Sequence, residues 1–198
     1  MVDLTDAQLD ALREMGNIGS GNAATSLSQL VSEVINISVP DVKVLPLDAV
    51  SYSLGGPEKI VYVVYLQVIK DMQGTMLTIF SPETANFLAK KLLTQDKVDM
   101  QAELTQSALK EAGSILCGSY LSALSQVVGI SSVASVPTMA CDMLGAVLDF
   151  ILVEIGQIAD DVILLETELF VAKKKLECSQ LYLPKPVALE KVLTSIGV

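Results

Sequence analysis

DALREMGNIGSGNAATSLSQL (residues 10–30) and SALKEAGSILCGSYLSALSQV (residues 107–127) decide the fold, because one lies over the other at an offset of 97 residues. Ala11/Ala108, Leu12/Leu109, Glu14/Glu111, Gly16/Gly113, Ile18/Ile115, Gly21/Gly118, Leu27/Leu124, Ser28/Ser125 and Gln29/Gln126 are identical, and Arg13/Lys110 keeps its charge. The register persists to Pro40/Pro137. Two helices that merely share composition would not keep a proline in step that far downstream. The chain therefore reads as a duplication, with residues 1–93 as the first copy and 104–198 as the second, together forming one domain.

Each copy opens with a long helix. In the first, Leu9, Leu12, Met15, Gly19, Ala23, Leu27 and Leu30 fall on one side at about 100° per residue, the side a core would cover. Glu14 and Asn17, at i and i+3, lie opposite with Asp10, Gly21, Thr25 and Ser28. Beyond its Glu-Asn pair this outer face carries only small groups. Strand signals follow in VPDVKVL (39–45), KIVYVVYLQVI (59–69) and GTMLTIFS (74–81), rich in β-branched residues and bounded by Gly, Pro and Asp. SPETANFLAKKLL (81–93) starts as a capped helix, and TQDKVDMQAE (94–103) is a polar linker.

The second copy repeats the plan with one addition, the apolar DMLGAVLDFILVEIG (142–156), read as a short helix although its β-branched content leaves a strand open. Strands fit VILLETELFVA (162–172) and SQLYLP (179–184), and KPVALEKVLTSIG (185–197) closes as a helix with Pro186 in its first turn. Helix, three strands, helix, twice over, predicts an α/β (α+β) fold with pseudo-two-fold symmetry. Its sheet is expected to be mostly antiparallel, of about six strands, with the two long helices packed on one face.

The 198 residues are 51% hydrophobic yet carry a net charge of −10, which describes a densely cored acidic protein. Such acidity argues against nucleic acid and against anionic membrane surfaces. There is no histidine, so Ser-His-Asp, Cys-His and His-metal chemistry are excluded along with any phosphohistidine relay. Cys117, Cys141 and Cys178 share no metal-type spacing and read as reduced core thiols of a cytoplasmic protein. The start, MVDLTDAQLD, lacks the basic and apolar regions of an export signal. Residues 112–141 carry no charge, but their Ser and Gly content, Gln126, Pro137 and the break at Gly129 fit a buried helix followed by a buried strand better than a membrane span.

Gly19-x-Gly21-x-x-Ala24 matches the dinucleotide fingerprint as a string, but that motif must follow a strand, and here it lies inside a helical pattern. The glycines instead suit close approach, Gly19 toward the core and Gly21 toward whatever docks on the polar face. A lone surface glutamate on a helix is usually only solvated, so Glu14 and Glu111 gain meaning from the whole pattern. Asp10-x-x-x-Glu14-x-x-Asn17 is followed by Pro40, and Ser107-x-x-x-Glu111-x-x-Ser114 by Pro137.

This pattern resembles the signature of the CheC family of chemotaxis proteins: Asp or Ser, Glu four residues on, Asn three further, and a proline after twenty-two more. GNIGSGNAA also looks like the first helix of that family, and the duplicated order covers essentially the whole chain. The first copy matches at every position; the second departs at one, where Ser114 stands in place of asparagine. The resemblance implies hydrolysis of the aspartyl phosphate of the response regulator CheY, with Glu14, Asn17, Glu111 and Ser114 in the catalytic positions, supported by Asp10, Ser107, Pro40 and Pro137. No cofactor of the chain's own is implied, since the receiver brings its Mg²⁺ and lysine. A carboxamide at Asn17 would orient the attacking water, while Ser114, shorter by roughly an amide group, leaves a second face expected to dock through Glu111 but turn over poorly.

The family also resembles, in fold, the regulator-binding domains of the flagellar switch, and it pairs with the receptor deamidase CheD. The resemblance places CheD at the segment after the second motif, through Asp142, Leu144, Ala146, Val147 and Asp149, against the alternative that its apolar residues simply pack on the sheet. An adaptor that binds phosphorylated regulator or CheD with little hydrolysis is the rival to the enzyme, and Asn17 is the residue a pure adaptor would not need. A structural piece of the switch would be expected to carry an added C-terminal assembly domain.

Overall fold

The computed structural model describes residues 5–38, 41–129, 131–155, 161–171 and 174–195. In chain order the elements are α1 (Asp6–Val31), β1 (Ile35–Ile37), β2 (Asp41–Pro46), α2 (Leu47–Ser53), β3 (Ile60–Lys70), β4 (Gly74–Phe80), α3 (Pro82–Leu93), α4 (Glu103–Val128), β5 (Ser132–Ala134), β6 (Thr138–Met143), α5 (Leu144–Ile155), β7 (Asp161–Val171), β8 (Lys174–Pro184) and α6 (Pro186–Ser195). The 97-residue offset runs through α1/α4, β1/β5, β2/β6 and the starts of α2 and α5.

That last match corrects one expectation. The segment after Pro137 is not an addition to the second copy but a longer version of α2, which the sequence reading left out. Seven residues with no side-chain cap at Pro46 are too few to show a helical period.

The long helices are matched in length, 26 residues each. A capping box opens α1: Gln8 N donates to Thr5 Oγ1 at 3.3 Å and Thr5 N donates to Gln8 Oε1 at 2.9 Å. Both helices stop at a left-handed residue, Ser32 and Gly129, one offset apart. Dinucleotide geometry is ruled out directly, since Gly19, Gly21 and Ala24 all lie within α1.

Among the described residues every strand pairing is antiparallel, in one sheet of eight strands where about six were expected. Six positions run across it, because β1 and β2 lie in succession along the outer side of β7, and β5 and β6 along the outer side of β3. The copies thus exchange their edges. β1 and β2 of the first pair with β7 of the second, β5 and β6 of the second with β3 of the first, and β4 pairs with β8 at the centre. Strands β1 and β5, three residues each, are below what alternation can reveal.

The two long helices pack together on one face of the sheet, as expected, and the shorter α2 and α5 cover the other. On the first face, α1 and α4 pack with Leu66, Val68, Met76, Ile163, Leu165 and Tyr182, joined by Val192 of α6 and by Ala85, Leu88 and Ala89 of α3. On the opposite face, Val50 of α2 and Leu144, Val147, Leu148 and Ile151 of α5 close over Val61, Val63, Leu77, Ile79, Leu164 and Leu181. Cys117 and Cys178 are core thiols as expected, whereas Cys141 is exposed on β6. Strand β6 is itself mostly exposed at a sheet edge, not buried, and Leu30 is 40% exposed on the rim of α1. The readings at Val39, Pro40, Gly156, Ala172, Ile196, Gly197 and the side chain of Leu152 lie outside the described residues. Among the described residues no helix is long and apolar enough to cross a membrane.

Candidate active site

The packing beneath α1 and α4 sets which way their motifs point. Tyr120 of α4 crosses into a notch on α1, where a Cβ on Gly19 would stand 2.6 Å from its Cδ1, and its hydroxyl lies 2.6 Å from Ser20 Oγ. Burial pushes the Tyr120 phenol up, partly offset by Ser20, so it remains a neutral hydrogen-bonding group. On α4, a Cβ on Gly113 would meet the Val64 side chain of β3 at 2.5 Å. Thr78 Oγ1 donates to the Gly113 carbonyl at 3.3 Å and accepts from buried Gln180 Nε2 at 2.9 Å. The residues before Ser114 are thereby tied to the sheet centre.

With the inner sides fixed, Glu14 and Glu111 are both exposed. Asn17 and Ser114, one turn on, are half-buried, and Asn17 Oδ1 and Ser114 Oγ are each buried without a hydrogen-bond partner among the described residues. The same position in both copies thus holds an oxygen turned inward. Asp10 is exposed and ion-paired with Arg13 at 2.9 Å; its counterpart Ser107 is exposed and Pro137 half-buried. Pro40 lies outside the described residues, but the chain leading toward it is clamped, as Ile35 N donates to Ser28 Oγ at 2.9 Å. The second copy uses the matching serine, Ser125 Oγ lying 2.8 Å from Ser132 Oγ.

The Ser20–Tyr120 pair escaped the sequence comparison for a simple reason. Ser20 aligns with Cys117 and Tyr120 with Ala23, so a contact that joins the copies appears only as a mismatch between them. Asp142 at the end of β6 and Ala146 and Asp149 on α5 are exposed, but Leu144 and Val147 of α5 are 0% and 3% exposed and pack on the sheet, so they are not available to a partner. A cleft of about 610 Å³ opens on the α2/α5 face. Its carboxylates are already paired, Glu166 with Lys43 at 2.8 Å, Glu177 with Lys59 at 3.1 Å and Glu168 with Lys175. Among the described residues no three Cys, Asp or Glu converge as metal ligands.

Residues 8–44 match the model of the CheC-like family. Over 98% of its length the chain is 32% identical to the CheY-P phosphatase CheC of Bacillus subtilis, covering 96% of that protein. The chain belongs to the CheC family. The flagellar motor switch phosphatase FliY of the same organism is 29% identical over 63% of the chain, which spans 33% of that longer protein. Thermotoga maritima FliY shares the fold of this CheC-family chain, with a TM-score of 0.76 at 22% identity, covering 98% of the chain and all of that structure.

Proposed function

We propose that the chain is a hydrolase that removes the phosphoryl group from the aspartyl phosphate of a CheY-type receiver domain, with Asn17 on α1 orienting the attacking water. One observation carries this reading: exposed Glu14 and the carboxamide of Asn17, one turn apart on a solvent-facing helix, in a chain similar along its length to a CheY-P phosphatase. An acyl phosphate is already activated, so what the phosphatase adds is an in-line water and a docking geometry. Glu14 accepts a charge-assisted hydrogen bond from a receiver lysine and sets the register.

The Asn17 amide has an acceptor end and a donor end. Its inward oxygen has no partner to lose, so a half-turn that brings the oxygen outward to a water sacrifices no hydrogen bond within the described residues. Ser114 has no such exchange to make, because its single oxygen sits at the end of a shorter side chain and is buried. The α4 face therefore docks through Glu111 and hydrolyses poorly. The receiver supplies the Mg²⁺ that neutralises phosphoryl charge, and the chain brings no cofactor.

This reading places the protein in the cytoplasm, inserted in no membrane and bound to no nucleic acid. CheD is a second partner under the same reading, docking on the outer side of α5, where Ala146, Asp149, Phe150 and Val153 are exposed. The test is to label a receiver with a small phosphodonor and follow phosphate release. The chain is expected to accelerate release over the receiver alone, and no acceleration would leave only the adaptor.

A further inference from the structure

Three pairs among the identities of α1 and α4 are exposed in both copies: Glu14/Glu111, Gly21/Gly118 and Gln29/Gln126. Burial explains Leu12/Leu109, Gly16/Gly113 and Leu27/Leu124, and it cannot explain these three. Glu14/Glu111 already has a role in docking. Gly21 and Gly118 do not, and glycine is the least favourable ordinary residue inside a helix.

A helical glycine is retained for one of three reasons: a left-handed conformation, a neighbour too close for a Cβ, or something that approaches from outside. The first fails, because among the described residues the glycines with positive φ are Gly55, Gly56 and Gly129. The second holds for Gly19 and Gly113 but fails here, since a Cβ on Gly21 or Gly118 meets nothing within 4 Å. The third remains, and the placement agrees with it. One turn before each glycine lies the motif position itself, Asn17 or Ser114, and two turns before it exposed Glu14 or Glu111, so in both copies the open space lies beside the face on which the receiver docks.

We infer that Gly21 and Gly118 are the points of closest approach for a docked receiver domain, each admitting receiver backbone against the helix just beyond the motif. This rests on the proposed function for the identity of the partner. Glu14 and Gly21 lie seven residues apart on one outer stripe, so glutamate and glycine together give two fixed points along α1, and Asn17 lies between them. Gly21 is a specificity-determining position: it selects for the width of what docks and touches no reacting atom.

Gly21→Leu separates this from a structural role. Leucine is a better helix former, its Cβ meets nothing within 4 Å, and the position is exposed, so the variant is expected to unfold at the same temperature as the parent or higher. Its KM for the phosphorylated receiver should rise at least about tenfold, with single-turnover hydrolysis at saturation kept within about threefold. Gly21→Ala should fall between the two. In titrations with a beryllofluoride-activated receiver, the parent should bind two receivers per chain and Gly21→Leu/Gly118→Leu none. A Gly21→Leu chain with unchanged KM, or a double variant that binds as the parent does, would overturn the inference. A parent chain that binds the activated receiver without hydrolysing phosphate would instead defeat the phosphatase reading and leave the glycine assignment standing.

Discussion

Three glycines on the long helices look alike in sequence and differ in what a methyl group would do. At Gly113 it would press on Val64 of β3, and at Gly19 on Tyr120, whose backbone Cα is 3.1 Å away. Alanine there is expected to lower stability by about 1–3 kcal/mol, the usual range for overpacking a close contact. At Gly21 the space is open, and alanine should raise stability by about 0.5–1 kcal/mol through helix propensity alone. Urea unfolding of the three variants checks the ordering, and a destabilised Gly21→Ala would contradict it. Gly19 and Gly21 were separable in sequence because their positions on the helical wheel differ. The inward oxygens of Asn17 and Ser114 were not, because rotamers depend on neighbours brought in by the sheet.

At the scale of elements, the sequence disclosed what was long or duplicated and hid what was short or shared between copies. Strands β3 and β4 appear within a residue or two of their expected bounds, and the two 26-residue helices contain the duplicated stretches. Helix α2 and strands β1 and β5 span seven, three and three residues, less than their periodicities need. Helix α5 was legible as an apolar segment, but not the division of its sides. Leu144, Val147, Leu148 and Ile151 close the second core while Phe150 and Val153 are 56% and 82% exposed. Leu148→Ala is therefore expected to cost about 2–5 kcal/mol, whereas Phe150→Ala should change stability by less than about 0.5 kcal/mol. Equal losses on chemical unfolding would mean that the exposed side of α5 is packed after all.

Over the whole molecule, two copies share one sheet by exchanging edges, so the core is continuous and the two long helices are locked by residues that differ between copies. The same core holds a source of alkaline pH sensitivity. Burial pushes the thiols of Cys117 and Cys178 up to about 12 from an ordinary 9.0, and the chain has no histidine. As pH climbs, the unfolded state gives up these protons first, so the stability they support is complete below about 9 and is lost progressively toward about 12. Denaturant midpoints should be flat between about pH 6 and 8.5 and fall by about pH 10.5. A midpoint that rises over that alkaline interval would refute the assignment. Under the proposed function, activity divides along the same duplication, with the carboxamide of Asn17 on α1 as the water-orienting group and Ser114 in its place on α4. The most direct test is single-turnover phosphate release from a phosphorylated receiver by Asn17→Ala, Ser114→Ala and the double variant Asn17→Ala/Ser114→Asn. Asn17→Ala should lose on the order of a hundredfold, Ser114→Ala should keep most of the activity, and the double variant should recover hydrolysis on the second helix. Loss of most activity in Ser114→Ala with little loss in Asn17→Ala would contradict the account.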